Sequence, residues 1–196
     1  MSGTSRPVVS LILTVKDEAE SLPELLASIA AQTWRPDEVI VVDGGSRDET
    51  VAVLRKWADR LPLTVVELPG SSISQGRNAA LERARGELVA VTDGGVVLEP
   101  DWLQRLVEPF LAPEREQPDV VSGFFRAAPR TLFELALGVT TLPDAEEIRP
   151  ERFLPSSRSV ALRRSWFLAG IRYPSWLDYC EDVVFDLRLR RAGARF

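Results

Sequence analysis

Two apolar segments of the chain end in the same way, with an aspartate followed by two glycines. One covers residues 39–46, with Asp43 as its aspartate, and the other covers residues 88–95, with Asp93. Short valine-rich runs are typical of buried strands, and glycine lets a ligand approach the backbone closely. In open α/β sheets, ligands bind at the carboxyl ends of the strands. The matched ends therefore predict one binding site that contains both aspartates.

Strand-like and helix-like segments alternate between residues 8 and 111, which favours βαβ units and a mainly parallel sheet. Predicted strands cover residues 8–15, 39–42, 63–68 and 88–92, and predicted helices cover residues 22–29, 47–60, 74–85 and 100–110. We expect Ser21 or a neighbour to cap the first helix and Gly86 to end the third. Later segments predict strands at 120–125 and 159–162 and helices at 131–142, 164–169 and 181–192.

Length and charge narrow the classes of protein that fit. The chain has 196 residues, which is enough for one domain with a substantial core. A formal net charge of -5 argues against a nucleic-acid binder that relies on overall basicity, so no nucleic-acid partner is expected. The chain contains no histidine, which excludes histidine as an acid, a base or a metal ligand.

The lone cysteine, Cys180, excludes an intrachain disulfide bond, and we expect it to be a buried small residue. Together with the lack of a signal-peptide pattern, this suggests a reducing, cytoplasmic setting. No apolar run approaches the roughly 20 residues that a membrane-spanning helix needs.

Acidic side chains follow successive predicted strands, where ligands of α/β sheets bind. Carboxylates accept hydrogen bonds from a base or from ribose hydroxyls, and an arginine or a metal ion can neutralise a diphosphate. The sequence lacks both G-x-G-x-x-G and the P-loop pattern, so a dinucleotide fold and a P-loop enzyme are disfavoured. The candidates for a nucleoside diphosphate site are Asp17, Glu18, Asp43, Arg77, Asp93, Glu181 and Asp182.

In this order, the motifs resemble those of the family-2 glycosyltransferases, which are inverting enzymes of the GT-A fold. The resemblance extends from about Val8 to Phe196, nearly the whole chain. It comprises an acidic first loop at 16–20, an Asp-x-Gly-Ser segment at 42–50, Gly-Arg-Asn at 76–78, Asp-Gly-Gly at 93–95 in place of Asp-x-Asp, and Glu-Asp at 181–182 before Arg-Leu-x-x-x-Gly at 188–193.

The resemblance implies a GT-A fold, a Rossmann-like mainly parallel sheet flanked by helices, with a smaller acceptor-side region. Residues 1–111 would form the half that binds the nucleotide sugar, and residues 112–196 the acceptor-side half of the same domain. The donor would be of UDP, GDP or dTDP type, and the acceptor a saccharide, a lipid or another molecule with a hydroxyl. The implied roles are base and ribose contacts for Glu18 and Asp43, the nucleotide or diphosphate for Arg77, ribose or metal for Asp93, and general base for Asp182 beside Glu181.

The metal motif departs from the family pattern, because Gly95 stands where a second acid is expected. A divalent metal, Mg or Mn, is expected at Asp93, but a glycine offers no side-chain ligand for it. We also expect the family's last strand to lie beyond Phe196, so an acceptor-side segment that touches the inner face of a membrane could follow. The oligomeric state is left open.

Two other functions remain open at this point. The first is a non-catalytic glycosyltransferase-like module that binds a nucleotide or a partner, suggested by Gly95. The second is a nucleotidyltransferase, which is disfavoured because the first loop is acidic. The run at 156–159, Ser-Ser-Arg-Ser, is interpreted as a plain polar loop, with a phosphate or acceptor loop as the alternative.

Overall fold

The computed structural model describes residues 6–142, 146, 148–149 and 153–196, and it contains a six-stranded sheet with helices on both faces. The strands are β1 Val9–Val15, β2 Glu38–Asp43, β3 Leu63–Glu67, β4 Leu88–Val91, β5 Val120–Ser122 and β6 Val160–Arg163. The helices are α1 Leu22–Ala30, α2 Thr50–Trp57, α3 Ile73–Arg83, α4 Trp102–Val107, α5 Leu132–Thr141, α6 Arg164–Leu168 and α7 Glu181–Arg191.

The sheet has the order β3-β2-β1-β4-β6-β5, and its first four strands run parallel. Strand β6 runs antiparallel to β4 and to β5. The predicted mainly parallel α/β sheet is confirmed. Because β6 is reversed, Val160 at its start pairs with Val91 at the end of β4. The loop before β6 therefore lies at the carboxyl edge of β4.

The central strands are buried on both faces, which explains why they are apolar without alternation. All of β2 and β4 is buried. One face packs against α1, α2 and α4 through residues such as Leu26, Leu54 and Leu103. The other packs against α3 and α7 through residues such as Leu81 and Phe185.

Helix α3 begins with a capping box and packs closely on the sheet. The Ser72 backbone N–H donates to Gln75 Oε1 at 2.9 Å, and the Gln75 N–H donates to Ser72 Oγ at 3.3 Å. A Cβ at Gly76 would lie 2.7 Å from Thr14 Cγ2, so glycine permits the close contact with β1. The next residue, Arg77, is thereby held at the carboxyl end of the sheet.

Gly86 does not end α3, contrary to the expectation. The helix ends at Arg83, and the Gly86 N–H donates to Ser10 Oγ at 2.8 Å. A Cβ there would lie 2.6 Å from the Ser10 backbone nitrogen. Gly86 is needed for a close approach to β1 rather than for a helix stop.

Three further local expectations differ from the structure. Ser21 precedes α1 but makes no side-chain cap, because its hydroxyl hydrogen-bonds the Glu18 carboxylate instead. Cys180 is exposed rather than buried, and it takes a left-handed conformation with φ of 57° just before α7. The predicted helix at 100–110 changes to a 3-10 turn at Glu108–Leu111, where Pro109 lacks the N–H that an α-helix uses.

Helix α5 lies away from both cores. It begins with a capping box between Thr131 and Glu134. Its side chains Leu132 and Phe133 are exposed. Among the residues that the structure describes, no helix is long and apolar enough to cross a membrane.

Candidate active site

The loops after β1 and β2 are joined by hydrogen bonds. The Asp17 N–H donates to Ser46 Oγ at 2.9 Å, and Asp17 Oδ1 accepts from the Arg47 N–H at 2.7 Å. The Glu18 N–H donates to Thr50 Oγ1 at 2.8 Å. These bonds fix the backbone of the first loop beside the end of β2.

The Glu18 side chain lies against the loop after β4. A Cβ on Gly94 would be 2.8 Å from Glu18 Oε1, so the glycine lets the Glu18 carboxylate approach the backbone at position 94 closely. The Ser21 hydroxyl donates to the other carboxylate oxygen of Glu18. The structure thus brings Glu18 and the residue next to Asp93 together, as the sequence predicted for strand ends at one edge. Contact of Glu18 with a base or ribose stays a prediction.

Asp43 uses its carboxylate within its own turn. The residue is 2% exposed, and Asp43 Oδ2 accepts from the N–H groups of Gly45 and Ser46, each at 3.0 Å. The Ser46 hydroxyl donates to Asp43 Oδ1. Such Asx turns shape strand ends. In this structure Asp43 shapes the loop, and its expected contact with the nucleotide stays a prediction.

Arg77 joins two carboxylates from distant parts of the chain. Its guanidinium donates to Asp93 Oδ1 at 2.6 Å and to Glu181 Oε1 at 2.5 Å, and its side chain is 2% exposed. Burial lowers the pKa of Arg77, but interactions with Tyr173 and then with Asp93 and Glu181 raise it above its ordinary value, so the side chain stays charged. The geometry makes Arg77 a positioning residue that holds Asp93 and Glu181 together. Its expected place near the nucleotide or diphosphate stays a prediction.

Tyr173, which the sequence did not single out, connects α3 to the segment before α7. Asn78 Nδ2 donates to the Tyr173 carbonyl at 2.9 Å, and the Tyr173 N–H donates to Asn78 Oδ1 at 3.0 Å. The Tyr173 ring stacks on Phe185 with 4.0 Å between centroids, and its hydroxyl lies 3.0 Å from Ser157 Oγ. Burial raises the pKa of Tyr173, so the phenol stays neutral.

The acidic pair at the start of α7 has one buried and one more open member. Glu181 is 7% exposed and bound to Arg77. Asp182 is half-buried, and Asp182 Oδ1 accepts from the Val183 N–H at 2.9 Å. Since Arg77 binds both Glu181 and Asp93, the start of α7 is fixed beside the end of β4. Of the pair, Asp182 has the carboxylate better placed to meet a substrate.

Asp186, one turn after Asp182, is a buried carboxylate that the sequence did not reveal. It is 4% exposed, and its Oδ2 has no hydrogen-bond partner within the described residues. Burial and, to a smaller extent, the charge of Asp182 raise the pKa of Asp186 to about 8, although Arg190 opposes the shift. The folded protein therefore holds this carboxyl protonated at neutral pH.

Asp186→Asn should remove a decline of stability with pH. The pKa of Asp186 is higher in the folded protein than in the unfolded chain. Its contribution to the free energy of unfolding is therefore greatest below about pH 4 and falls as the pH rises toward 8. We expect the unfolding free energy of the variant, relative to that of the wild type, to increase by at least about 1.4 kcal/mol between pH 5 and pH 8, which is the equivalent of one pKa unit. Urea denaturation at several pH values measures this. Parallel curves for both proteins would contradict it.

Arg158 is the cation nearest to Asp93 that remains open to solvent. Its Nε lies 4.0 Å from Asp93 Oδ2, and its side chain is 53% exposed. Thr92 Oγ1 donates to the Arg158 carbonyl at 3.0 Å, and the guanidinium lies 5.4 Å from the Phe125 ring centroid. The plain polar loop expected at 156–159 therefore borders the candidate site. The Ser-Ser-Arg-Ser run was visible in the sequence, but its place beside Asp93 depends on the reversed direction of β6.

The ligands expected for a divalent metal are not assembled at Asp93. One Asp93 oxygen binds Arg77, and the other faces Arg158. Gly95 has a φ of 70° and no side chain to offer. Within the described part of the chain, no group of three or more histidine, cysteine, aspartate or glutamate residues is placed to hold a metal ion. Two guanidinium groups would also repel a dication there, so these residues do not fit a metal held by the protein.

Known proteins match this fold and most of the sequence. Residues 10–164 match the model of the family described as Glycosyl transferase family 2. The O-antigen biosynthesis protein RfbC of Myxococcus xanthus is 30% identical over 96% of the chain, which covers 16% of RfbC. Glycosyltransferase AglE of Haloferax volcanii is 33% identical over 50% of the chain, which covers 34% of AglE. The chain thus spans only part of the length of these relatives.

A solved structure agrees with the sequence comparison. The mannosyltransferase PcManGT of Pyrobaculum calidifontis, in complex with GDP-Man and Mn2+, superposes with a TM-score of 0.76 at 26% identity, covering 98% of this chain and 54% of that one. S. aureus TarS with UDP-GlcNAc gives a TM-score of 0.73 at 25% identity, covering 92% and 52%. With the family match over residues 10–164, this shows that the chain belongs to glycosyl transferase family 2 and has the GT-A fold.

Proposed function

We propose that the chain is an inverting glycosyltransferase that moves a sugar from a nucleotide-sugar donor to an acceptor hydroxyl. The observation that carries this proposal is the Arg77 bridge. It joins Asp93, at the strand end where α/β proteins bind ligands, to Glu181, whose neighbour Asp182 has the more open carboxylate. The complexes of PcManGT with GDP-Man and of TarS with UDP-GlcNAc support a nucleotide-sugar donor.

In the proposed reaction, Asp182 acts as the general base. The acceptor oxygen forms a bond to the anomeric carbon while the bond from that carbon to the diphosphate oxygen breaks, and the electron pair leaves with the diphosphate. Asp182 takes the acceptor's proton as the attack proceeds. Attack from the face opposite the diphosphate inverts the anomeric configuration.

The remaining acidic residues would bind and orient the donor. Glu18 lies on the first loop and Asp43 at the end of β2, where both would face the base and ribose, while Asp93 would face the ribose. Arg77 and Glu181 would hold Asp93 and Asp182 at a fixed distance from each other. The acceptor is proposed to be a saccharide, a lipid or another hydroxyl compound, and the setting cytoplasmic, including the inner face of a membrane.

Titration calorimetry with UDP, GDP and dTDP tests the donor site. We expect one of them to bind with a Kd between about 1 μM and 1 mM, the usual range of enzyme KM values. The matching nucleotide sugar should then release its nucleoside diphosphate slowly to water. A folded protein that binds none of the three would contradict the proposal.

A second candidate is a non-catalytic module that binds the nucleotide without transferring the sugar. Gly95 and the pairing of Asp93 with two arginines favour this alternative, because they remove the family's usual metal ligands. Binding without any turnover of nucleotide sugars, with or without acceptor, would support it.

A further inference from the structure

We propose that Arg158 binds the diphosphate of the donor and stabilises it as the leaving group, in the place where a divalent metal would otherwise act. The inference rests on the proposed glycosyl transfer. It assigns to the loop before β6 a catalytic cation, and it makes metal unnecessary for the reaction of this chain.

The backbone at Arg158 is held rigidly on both sides. Ser157 and Ser159 are each 3% exposed. The Ser157 hydroxyl meets the Tyr173 hydroxyl at 3.0 Å, and Ser159 Oγ accepts from Trp102 Nε1 at 2.8 Å. Two buried serines therefore fix the loop, while the side chain between them projects at the surface. This arrangement places the exposed Arg158 side chain at a defined position beside Asp93.

The charge of Arg158 is available for a ligand. Its ion pair with Asp93 Oδ2, at 4.0 Å from Nε, is too long for a hydrogen bond. Its guanidinium makes no hydrogen bond to any residue that the structure describes, although it has five N–H donors. Exposed ion pairs of this kind contribute little to stability. Arg158 can therefore leave Asp93 and bind a diphosphate oxygen at a small cost in free energy. Arginine also matches phosphate oxygens with two parallel hydrogen bonds.

The other cation at Asp93 cannot take this role. Both terminal nitrogens of Arg77 bind carboxylates, and its side chain is buried. Glycosyl transfer leaves an extra negative charge on the diphosphate when the bond to the anomeric carbon breaks. That charge needs a nearby positive group. Arg158 is the group at Asp93 that combines positive charge with exposure.

Calorimetry with EDTA present tests the proposal through binding alone. The probes are UDP with uridine, and GDP with guanosine, so that each pair differs only in the diphosphate. We expect the wild-type affinity for the diphosphate to be within about threefold of its value with Mn²⁺. Arg158→Gln should weaken that affinity about 10- to 100-fold, as for a lost charged hydrogen bond, and leave nucleoside affinity unchanged.

Turnover gives a second measure. With EDTA present, Arg158→Gln should lower kcat for release of the nucleoside diphosphate from the nucleotide sugar about 100- to 1000-fold. This is the usual effect of removing one donor to a developing negative charge. Arg158→Lys keeps the charge but loses the paired donors, so it should fall between the two proteins. Arg105→Gln is the matched control, since Arg105 is exposed and paired with Asp101 at 2.6 Å on α4, and it should change nothing.

The outcomes separate this inference from the proposed function. Loss of wild-type diphosphate binding and turnover in EDTA, with recovery by Mn²⁺, would overturn the role of Arg158 and leave glycosyl transfer standing. Wild-type affinity and kcat in both Arg158 variants would do the same. No binding of UDP, GDP or dTDP under either condition would overturn both.

Discussion

Replacing Arg77 by methionine is expected to lower the free energy of unfolding by about 3–5 kcal/mol. The guanidinium is 2% exposed and binds Asp93 and Glu181, whose side chains are 28% and 10% exposed. Without the arginine, the buried Glu181 carboxylate loses the partner that offsets its desolvation. Urea denaturation followed by circular dichroism measures the loss.

The control for Arg77→Met is Arg55→Met. Arg55 binds Glu67 at 2.8 Å, but the two side chains are 69% and 53% exposed. That change should cost no more than about 1 kcal/mol. Adding Glu181→Gln to Arg77→Met should restore part of the lost stability, because it removes the unpaired charge. Equal losses for Arg77→Met and Arg55→Met would show that the buried bridge is not the cause.

The convergence of Glu18 and Asp93 could be predicted from the sequence, because it follows from strand direction alone. Apolar runs that are buried on both faces identify β1, β2 and β4, and parallel strands present their carboxyl ends at one edge. Any acid that follows such a strand must then lie at that edge.

The contact of Arg77 with Glu181 and the position of Arg158 beside Asp93 could not be predicted in this way. Arg77 and Glu181 are 104 residues apart, and no local pattern indicates that they meet. Arg158 reaches Asp93 because β6 pairs antiparallel with β4, a direction that a four-residue strand does not reveal. Both contacts depend on tertiary packing, which also decides the roles of Gly76 and Gly86.

Asp182→Asn is the change expected to affect activity most. It should lower kcat about 10²- to 10⁴-fold, the usual contribution of a general base. Diphosphate affinity by calorimetry should stay the same, since the asparagine still fits a half-buried position. Asp178→Asn is the matched control, because Asp178 is an exposed acid four residues earlier and is assigned no role. A variant that keeps more than a tenth of the wild-type kcat would place the base elsewhere.

The same variant has a second expected effect that does not depend on catalysis. The charge of Asp182 helps to raise the pKa of Asp186, after the larger effect of burial. Asp182→Asn should therefore lower the pKa of Asp186 and reduce the loss of stability between pH 4 and pH 8. A flatter pH profile of stability would confirm that Asp182 contributes to the raised pKa of Asp186. An unchanged profile would contradict that contribution, because burial alone would then account for the shift, and kcat would remain the separate measure of the general base.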